Sequence, residues 1–168
     1  RHVVITGGEP TLDPELPELA AAIRAGRRHI TLETNGTNQP PGTLHVDLAS
    51  ISPKLRHSVP DPDRYPREAV RQSEAHRWRF DALRAWFDRF HCQFKFVVRD
   101  EEDLPEILDF LQRLERQPPA DTILLMPEGI DPETLHRREP FIIEACKRHG
   151  FRYGRRLQVE CFGHQRGP

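Results

Sequence analysis

Short apolar runs alternate with helical segments along the whole chain, and this alternation constrains the fold more than any other feature. The runs are rich in β-branched residues, and most are followed by glycine, proline or asparagine, which is typical of buried strands. We therefore predict strands over 2–6, 29–33, 45–51, 93–98, 122–126 and 156–162. Apolar residues at helical spacing predict helices over 13–26, 78–90, 104–114 and 131–150, with Pro140 kinking or splitting the last.

Strands that alternate with helices predict an α/β fold, in which helices cover a parallel sheet and the crossovers are right-handed. Periodicity does not distinguish an open sheet of the Rossmann type from a sheet curved into a barrel. Prolines and charged residues over 57–68 predict a loop outside this pattern. A chain of 168 residues has the length of one domain, so we expect a single domain over 1–168.

The composition argues against several classes of protein. The formal net charge is −1 and no long run of lysine or arginine occurs, which argues against direct binding of nucleic acid. No apolar stretch is long enough to cross a membrane, and no secretory signal is visible. Cys92, Cys146 and Cys161 are too widely spaced for a disulfide framework or a metal knuckle, and free thiols favour a cytoplasmic location.

Glycine and polar residues follow four of the predicted strands, at the ends where ligands bind in both kinds of sheet. These turns are Gly7-Gly8-Glu9-Pro10, Glu33-Thr34-Asn35-Gly36-Thr37, Ser52-Pro53-Lys54 and Met126-Pro127-Glu128-Gly129. Glycine lets the backbone approach a ligand, and Glu9 supplies a carboxylate suited to a cationic group. Lysine is rare among many arginines, and Lys54 and Lys95 lie beside or within predicted strands. The four turns together predict a ligand site at one edge of the sheet.

Each of these features also has an ordinary explanation. Glycine, proline, asparagine and serine end strands in most proteins. The aromatic residues at helical spacing are more typical of a core than of a stacking platform; they are Trp78, Phe80, Trp86, Phe87 and Phe90. The histidines are scattered without the spacing of metal ligands, and no P-loop or G-x-G-x-x-G motif indicates a phosphate cradle.

The four turns resemble those of a known enzyme family. The run Val3-Val4-Ile5-Thr6-Gly7-Gly8-Glu9-Pro10 is similar to the G-G-E-P motif of radical S-adenosylmethionine (SAM) enzymes. The runs over 33–37, 52–55, 94–98 and 125–129 narrow the resemblance to the 7-carboxy-7-deazaguanine synthase family. The resemblance extends from Val3 to the C-terminus and is weakest over 57–90.

This resemblance implies a partial TIM-like (β/α) barrel of the radical SAM type and an enzyme of the carbon–nitrogen lyase type. The implied reaction is a radical ring contraction of 6-carboxy-5,6,7,8-tetrahydropterin to 7-carboxy-7-deazaguanine, with loss of ammonia, in queuosine and other 7-deazapurine biosynthesis. The implied cofactors are SAM, a [4Fe–4S] cluster and Mg²⁺. The implied partners are the small-molecule pterin, an electron donor such as flavodoxin, and a second copy of the chain in a homodimer.

The resemblance also implies roles for individual residues. For SAM it implies Gly7, Gly8, Glu9, Pro10, Ser52, Pro53, Lys54, Met126, Pro127, Glu128 and Gly129. For the pterin it implies Thr6, Asn35 and the terminal carboxylate of Pro168, because a carboxylate accepts hydrogen bonds from the guanidine-like edge of a pterin. It implies no catalytic side chain and no metal ligand within this chain.

One departure from the family is large. The family holds its cluster with three closely spaced cysteines, and Cys92, Cys146 and Cys161 do not have that spacing. Because the chain begins at Arg1 rather than at methionine, we expect an N-terminal truncation that removes the first strand and the cluster loop and leaves the piece inactive. Two alternatives stay open: another small radical SAM enzyme such as an activase, or a non-catalytic protein that binds SAM or a pterin without the cluster.

Overall fold

Six strands form one sheet in which every neighbouring pair is parallel. The computed structural model describes residues 1–163. Its strands are β1 (His2–Ile5), β2 (His29–Thr34), β3 (Leu48–Ile51), β4 (Cys92–Val98), β5 (Ile123–Pro127) and β6 (Arg152–Tyr153). Its helices are α1 (Leu16–Ala25), α2 (Arg67–His76), α3 (Phe80–Arg89), α4 (Asp103–Arg113), α5 (Pro132–His149) and α6 (Leu157–Phe162). None of these described helices is long and apolar enough to span a bilayer.

The order of the strands decides between the two kinds of sheet. The strands stand in sequence order from β1 to β6, whereas a doubly wound sheet of the Rossmann type reverses its order at a switch point. Because each right-handed crossover then turns the same way, the helices come to lie on one face. The predicted α/β fold of the partial barrel type is therefore confirmed, as an open sheet within the described residues.

The helix-covered face of the sheet carries the hydrophobic core. Alternate residues of the central strands, among them Ile30, Leu32, Phe94 and Phe96, are fully buried on this face. The aromatic residues predicted to be core do belong to it or pack against it: Trp78, Phe80, Trp86, Phe87 and Phe90. The residues between the buried ones point to the opposite face, which we call the open face.

The C-terminal segment differs from its prediction. Residues 156–162, predicted as a strand, contain helix α6, and the sixth strand is instead Arg152–Tyr153. Apolar residues at every second position imitate a strand, but Val159 is the one of them that is buried. The Arg156 guanidinium donates a hydrogen bond to the Gly129 carbonyl oxygen at 3.0 Å, which directs the chain to the turn after β5 rather than along the sheet.

Pro140 does not split α5, which runs unbroken from Pro132 to His149. Proline removes the helical hydrogen bond to the residue four positions earlier, here His136. Both residues are exposed, so water can satisfy the carbonyl group that loses its partner.

The region before β4 holds two further differences. The predicted loop over 57–68 runs into α2, which has no buried residue and therefore no apolar periodicity to reveal it. The predicted strand over 45–51 is shorter, because β3 begins only at Leu48. Asp47, just before β3, continues the contact with β2 through its side chain, since its carboxylate accepts a hydrogen bond from the Ile30 amide at 2.7 Å.

Candidate functional site

The four predicted turns follow the carboxyl ends of β1, β2, β3 and β5, so all of them lie along one edge of the parallel sheet. We call this edge the rim. Among the predicted SAM residues, Gly7, Gly8 and Lys54 are exposed, whereas Pro53, Pro127 and Gly129 are buried; Glu9, Pro10, Ser52, Met126 and Glu128 are half-buried. The buried members act by shaping their turns, and the exposed and half-buried members remain accessible to a ligand.

Glu9 joins the first two turns of the rim. One of its carboxylate oxygens accepts a hydrogen bond from the Asn35 amide at 2.8 Å. The other accepts from the hydroxyl groups of Thr34, at 2.7 Å, and Thr11, at 2.6 Å. Both oxygens thus have protein partners, so Glu9 holds the rim together, a role that the sequence did not indicate.

The conformation and packing of the first turn do not require glycine at positions 7 and 8. Neither Gly7 nor Gly8 has a positive φ, and a Cβ atom added to either would meet no heavy atom within 4 Å. A cavity of about 400 Å³ lies beside them, lined by the same turn and by α1. Glycine here leaves the backbone open to a ligand rather than relieving a clash or strain within the chain.

The turn after β5 is held by two arginines. Arg138 of α5 donates hydrogen bonds to both the backbone carbonyl and the carboxylate of Glu128. Arg156 donates to the Gly129 carbonyl oxygen at 3.0 Å. Gly129 itself has a φ of +156°, and an added Cβ would lie 2.9 Å from the Leu135 side chain, so the fold requires glycine at this position.

The open face carries a polar cluster beneath the rim. The Lys95 ammonium donates to one Glu33 carboxylate oxygen at 2.8 Å, and the Thr6 hydroxyl donates to the other at 3.2 Å. On the neighbouring pair of strands the Gln93 amide donates to the Ser50 hydroxyl at 2.9 Å. A carboxylate and an ammonium in the middle of a sheet face are costly unless they are paired, and here they are paired and still half-exposed.

The sequence predicted a substrate contact for Thr6, placed Glu33 in one of the four turns without a role of its own, and marked Lys95 as a rare lysine, but it did not indicate Gln93. Period-two alternation was the available signal, because Glu33 and Lys95 each stand between two buried residues of their strand. Their partnership depends on strand order, since β3 lies between their two strands.

The two remaining predicted substrate residues are placed differently. The Asn35 side-chain oxygen accepts hydrogen bonds from the amide and the hydroxyl of Thr37, at 2.8 and 2.7 Å. It therefore caps its own turn, and its contact with a substrate stays a prediction. Pro168 lies outside the described residues.

The described cysteines do not come together. Burial raises the pKa of the Cys92 thiol to about 12 and that of Cys146 to about 11, whereas Cys161 is exposed on α6. Within residues 1–163 no group of three histidine, cysteine, aspartate or glutamate side chains is placed to hold a metal ion. This part of the chain therefore does not supply the set of cysteine ligands that an iron–sulfur cluster needs.

Curated relatives match almost the whole chain. The 7-carboxy-7-deazaguanine synthase of Rhodopirellula baltica is 37% identical over 99% of this chain and 63% of the relative. The enzyme of that name from Halobacterium salinarum is 36% identical over 94% of this chain and 63% of the relative. The one from Pyrobaculum aerophilum is 32% identical over 99% and 67%. The chain thus spans about two thirds of the length of these relatives. No protein-family model matches it.

Solved structures share the fold. QueE from Escherichia coli superposes with a TM-score of 0.63 at 23% identity, over 93% of this chain and 57% of that one. A domain of a pyruvate-formate lyase-activating enzyme from Bacteroides vulgatus gives 0.56 at 19% identity, over 91% and 97%. SuiB from Streptococcus suis, bound to S-adenosylmethionine, gives 0.54 at 15% identity, over 96% and 41%. At these identities the likeness concerns the fold alone.

Proposed function

The chain belongs to the 7-carboxy-7-deazaguanine synthase family, and from this premise we propose that the complete gene product converts 6-carboxy-5,6,7,8-tetrahydropterin to 7-carboxy-7-deazaguanine and ammonia. The ring contraction expels one nitrogen atom, so substrate and product differ by the elements of ammonia. The observation that carries this proposal is the 37% identity over 99% of the chain, which includes all the rim turns.

SAM binds at the rim in this proposal. The site is formed by Gly7, Gly8, Glu9 and Pro10 after β1, Ser52, Pro53 and Lys54 after β3, and Met126, Pro127, Glu128 and Gly129 at the end of β5. The buried members, Pro53, Pro127 and Gly129, shape the turns that contact SAM. The exposed backbone of Gly7 and Gly8, free of any clash with an added Cβ, supports this placement. When bound beside a reduced iron–sulfur cluster, SAM supplies the radical chemistry of the enzyme class.

The pterin lies against the open face, beside Thr6 and Asn35. The Glu33 carboxylate accepts hydrogen bonds from the amino group and ring N–H of the pterin, which form a guanidine-like edge. Lys95 orients Glu33, because its ammonium donates a hydrogen bond to the carboxylate at 2.8 Å. The terminal carboxylate of Pro168 is a further proposed contact to the substrate.

The remaining components rest on family membership alone. They are a [4Fe–4S] cluster held by cysteines outside this chain, Mg²⁺, a flavodoxin-type electron donor and a homodimer. Within residues 1–163 no group of three histidine, cysteine, aspartate or glutamate side chains is placed to hold the cluster.

Calorimetry of SAM binding tests the proposal, using the complete gene product with its cluster reconstituted anaerobically. Gly8→Val places a side chain where the backbone approaches SAM, and we expect it to weaken binding at least tenfold. Gly42→Val is the matched control, because Gly42 also has open space around its Cβ position and no positive φ, but lies in the loop before β3.

Turnover of the pterin, followed by mass spectrometry of the deazaguanine product, completes the test. An intact cluster with no SAM binding would overturn the proposal. SAM binding without pterin turnover would move the assignment to another small radical SAM enzyme or to a non-catalytic binding protein.

A further inference from the structure

The turn after β3 is held from outside the sheet. The Lys54 carbonyl oxygen accepts a hydrogen bond from the Trp78 indole N–H at 3.1 Å and one from the Arg77 guanidinium at 3.4 Å. Both donors belong to the short segment between α2 and α3. The chain leaves the rim after Lys54 and returns more than twenty residues later to bind the backbone that it left.

Glu106 of α4 holds the chain two residues beyond Lys54. Its two carboxylate oxygens accept hydrogen bonds from the Arg56 amide at 3.2 and 3.0 Å, and it also pairs with Arg77. The side chains of Arg77 and Glu106 are only 19% and 17% exposed, so the pair is shielded from solvent screening.

The Trp78 ring is itself fixed by its neighbours. It packs edge-on against Phe110 of α4, with the ring centroids 5.3 Å apart, and the Arg77 guanidinium lies 4.3 Å above it. A ring held on these sides presents its N–H to the Lys54 carbonyl in one orientation.

We propose that Trp78, supported by Arg77 and Glu106, is a positioning residue that fixes the Ser52-Pro53-Lys54 turn in the geometry that SAM requires. This inference rests on the function proposed above. Pro53 has a fixed φ, so holding the Lys54 carbonyl also restrains the Ser52 group on the other side of the proline. A turn that is ordered before the ligand binds gives a higher affinity, because less conformational entropy is lost on binding.

The segment between α2 and α3 reaches the core through the Trp78 ring, and the positioning role explains its polar contacts. α2 has no buried residue and so contributes little hydrophobic stabilisation. Arg77 and Trp78 of the segment both donate to the Lys54 carbonyl. Arg77 also pairs with Glu106, which accepts from the Arg56 amide.

Trp78→Phe in the complete reconstituted gene product tests the inference. Phenylalanine keeps an aromatic ring and removes the N–H. Trp86→Phe is the matched control, because its indole N–H also donates to a backbone carbonyl, that of Asn38, at 2.8 Å. Three quantities are measured for each variant: the Kd for SAM, the KM for the pterin, and amide hydrogen exchange at Arg56.

We expect Trp78→Phe to raise the Kd for SAM by about twofold to tenfold, which is the fold-change for one lost hydrogen bond. The KM for the pterin should not change, and exchange at Arg56 should accelerate. The control should lower the melting temperature without either effect at the rim.

The outcomes separate this inference from the proposed function. Unchanged SAM affinity and unchanged exchange at Arg56 in Trp78→Phe, with normal binding by the unmodified protein, would overturn the positioning role and leave the synthase function standing. Equal weakening of SAM and pterin binding, in proportion to lost stability, would also overturn it. If the unmodified protein binds no SAM, the proposed function fails together with the inference, even where exchange at Arg56 accelerates.

Discussion

Strand β4 shows the contrast between the two faces of the sheet within a single strand. Phe94, Phe96 and Val98 lie on the helix-covered face and are buried, whereas Gln93 and Lys95 lie between them on the open face and are half-buried. The residues on the covered face are those that any packed α/β sheet needs. Those on the open face are a poor choice for stability, because replacing an ion pair by apolar residues of similar volume is often neutral or stabilising.

The contrast separates what the fold requires from what a ligand requires. On the covered face, the volume and apolar character of a side chain determine its contribution to stability, and other apolar residues of similar size would pack there as well. On the open face, the identities of Glu33 and Lys95 carry chemical information that packing does not explain. The rim contains both kinds of residue. The backbone conformation and the neighbours of Gly129 require glycine there, whereas those of Gly8 do not.

The largest effect on stability is expected on the covered face. Phe96→Ala should lower the free energy of unfolding by about 3–5 kcal/mol, because it leaves a cavity in a fully packed core. Phe96 is 0% exposed. Gln93→Ala on the same strand should cost less than about 1 kcal/mol. Urea unfolding of the complete gene product measures both, and equal losses would contradict the division between the faces.

The open face is expected to show the reverse pattern. Glu33→Gln removes a charged acceptor for the proposed pterin, so kcat/KM should fall by about tenfold to a hundredfold. The free energy of unfolding should change by less than about 1 kcal/mol, since a partly exposed ion pair contributes little.

Glu115→Gln is the control for that variant, because Glu115 also pairs with a basic residue, Arg84, but on the outer surface of the helices. It should leave kcat/KM unchanged. A Glu33→Gln protein that is fully active, or one that loses activity only as it loses stability, would refute the role of Glu33 on the open face.

A second carboxylate sharpens the comparison, because Asp103 is buried on the helix side. Burial raises its pKa, but hydrogen bonds from the His57 ring at 2.9 Å and the Arg99 amide at 2.6 Å outweigh burial and hold the pKa below its ordinary value. A lowered pKa in the folded state means that the ionised form stabilises the fold. That contribution is complete above the unfolded pKa of about 4 and is lost as the pH falls through the lower, folded value.

Asp103→Asn should therefore lower the free energy of unfolding by about 1–3 kcal/mol at neutral pH. The difference from the unmodified protein should narrow as the pH falls below about 4. Urea unfolding across that range measures the difference, and one that stays constant down to pH 2 would show that the Asp103 charge does not stabilise the fold.

Most of the sheet could be predicted from the sequence, because buried strands of this kind need continuous apolar runs and the rim needs turn residues. Strand order could not be predicted, since it is set by how the crossovers pack rather than by any local pattern. The predicted strand over 156–162 was wrong for a similar reason. Local alternation resembles a strand, whereas the segment is a helix whose preceding residue, Arg156, contacts Gly129, 27 residues away.

In the candidate site, too, local motifs could be predicted from the sequence and long-range contacts could not. The rim turns could be identified because each is a contiguous motif. Three of them stay predicted SAM sites, and Asn35 of the fourth stays a predicted pterin contact. The pairing of Glu33 with Lys95 spans 62 residues of sequence, and the contact of Trp78 with Lys54 spans 24. Neither residue of such a pair indicates its partner locally, so these contacts required the structure.

The smallest expected effect concerns the cysteines, which divide in the same way as the faces. Cys92 is aligned with Ala49 in the sheet, and burial holds the pKa of its thiol near 12 and that of Cys146 near 11, so neither forms the reactive thiolate at neutral pH. Iodoacetamide should therefore label Cys161 in the native protein and the other two only after denaturation. Mass spectrometry of the labelled peptides measures this order. Labelling of Cys92 as fast as Cys161 in the folded protein would mean that the covered face opens under native conditions, and would remove the basis for treating that face as purely structural.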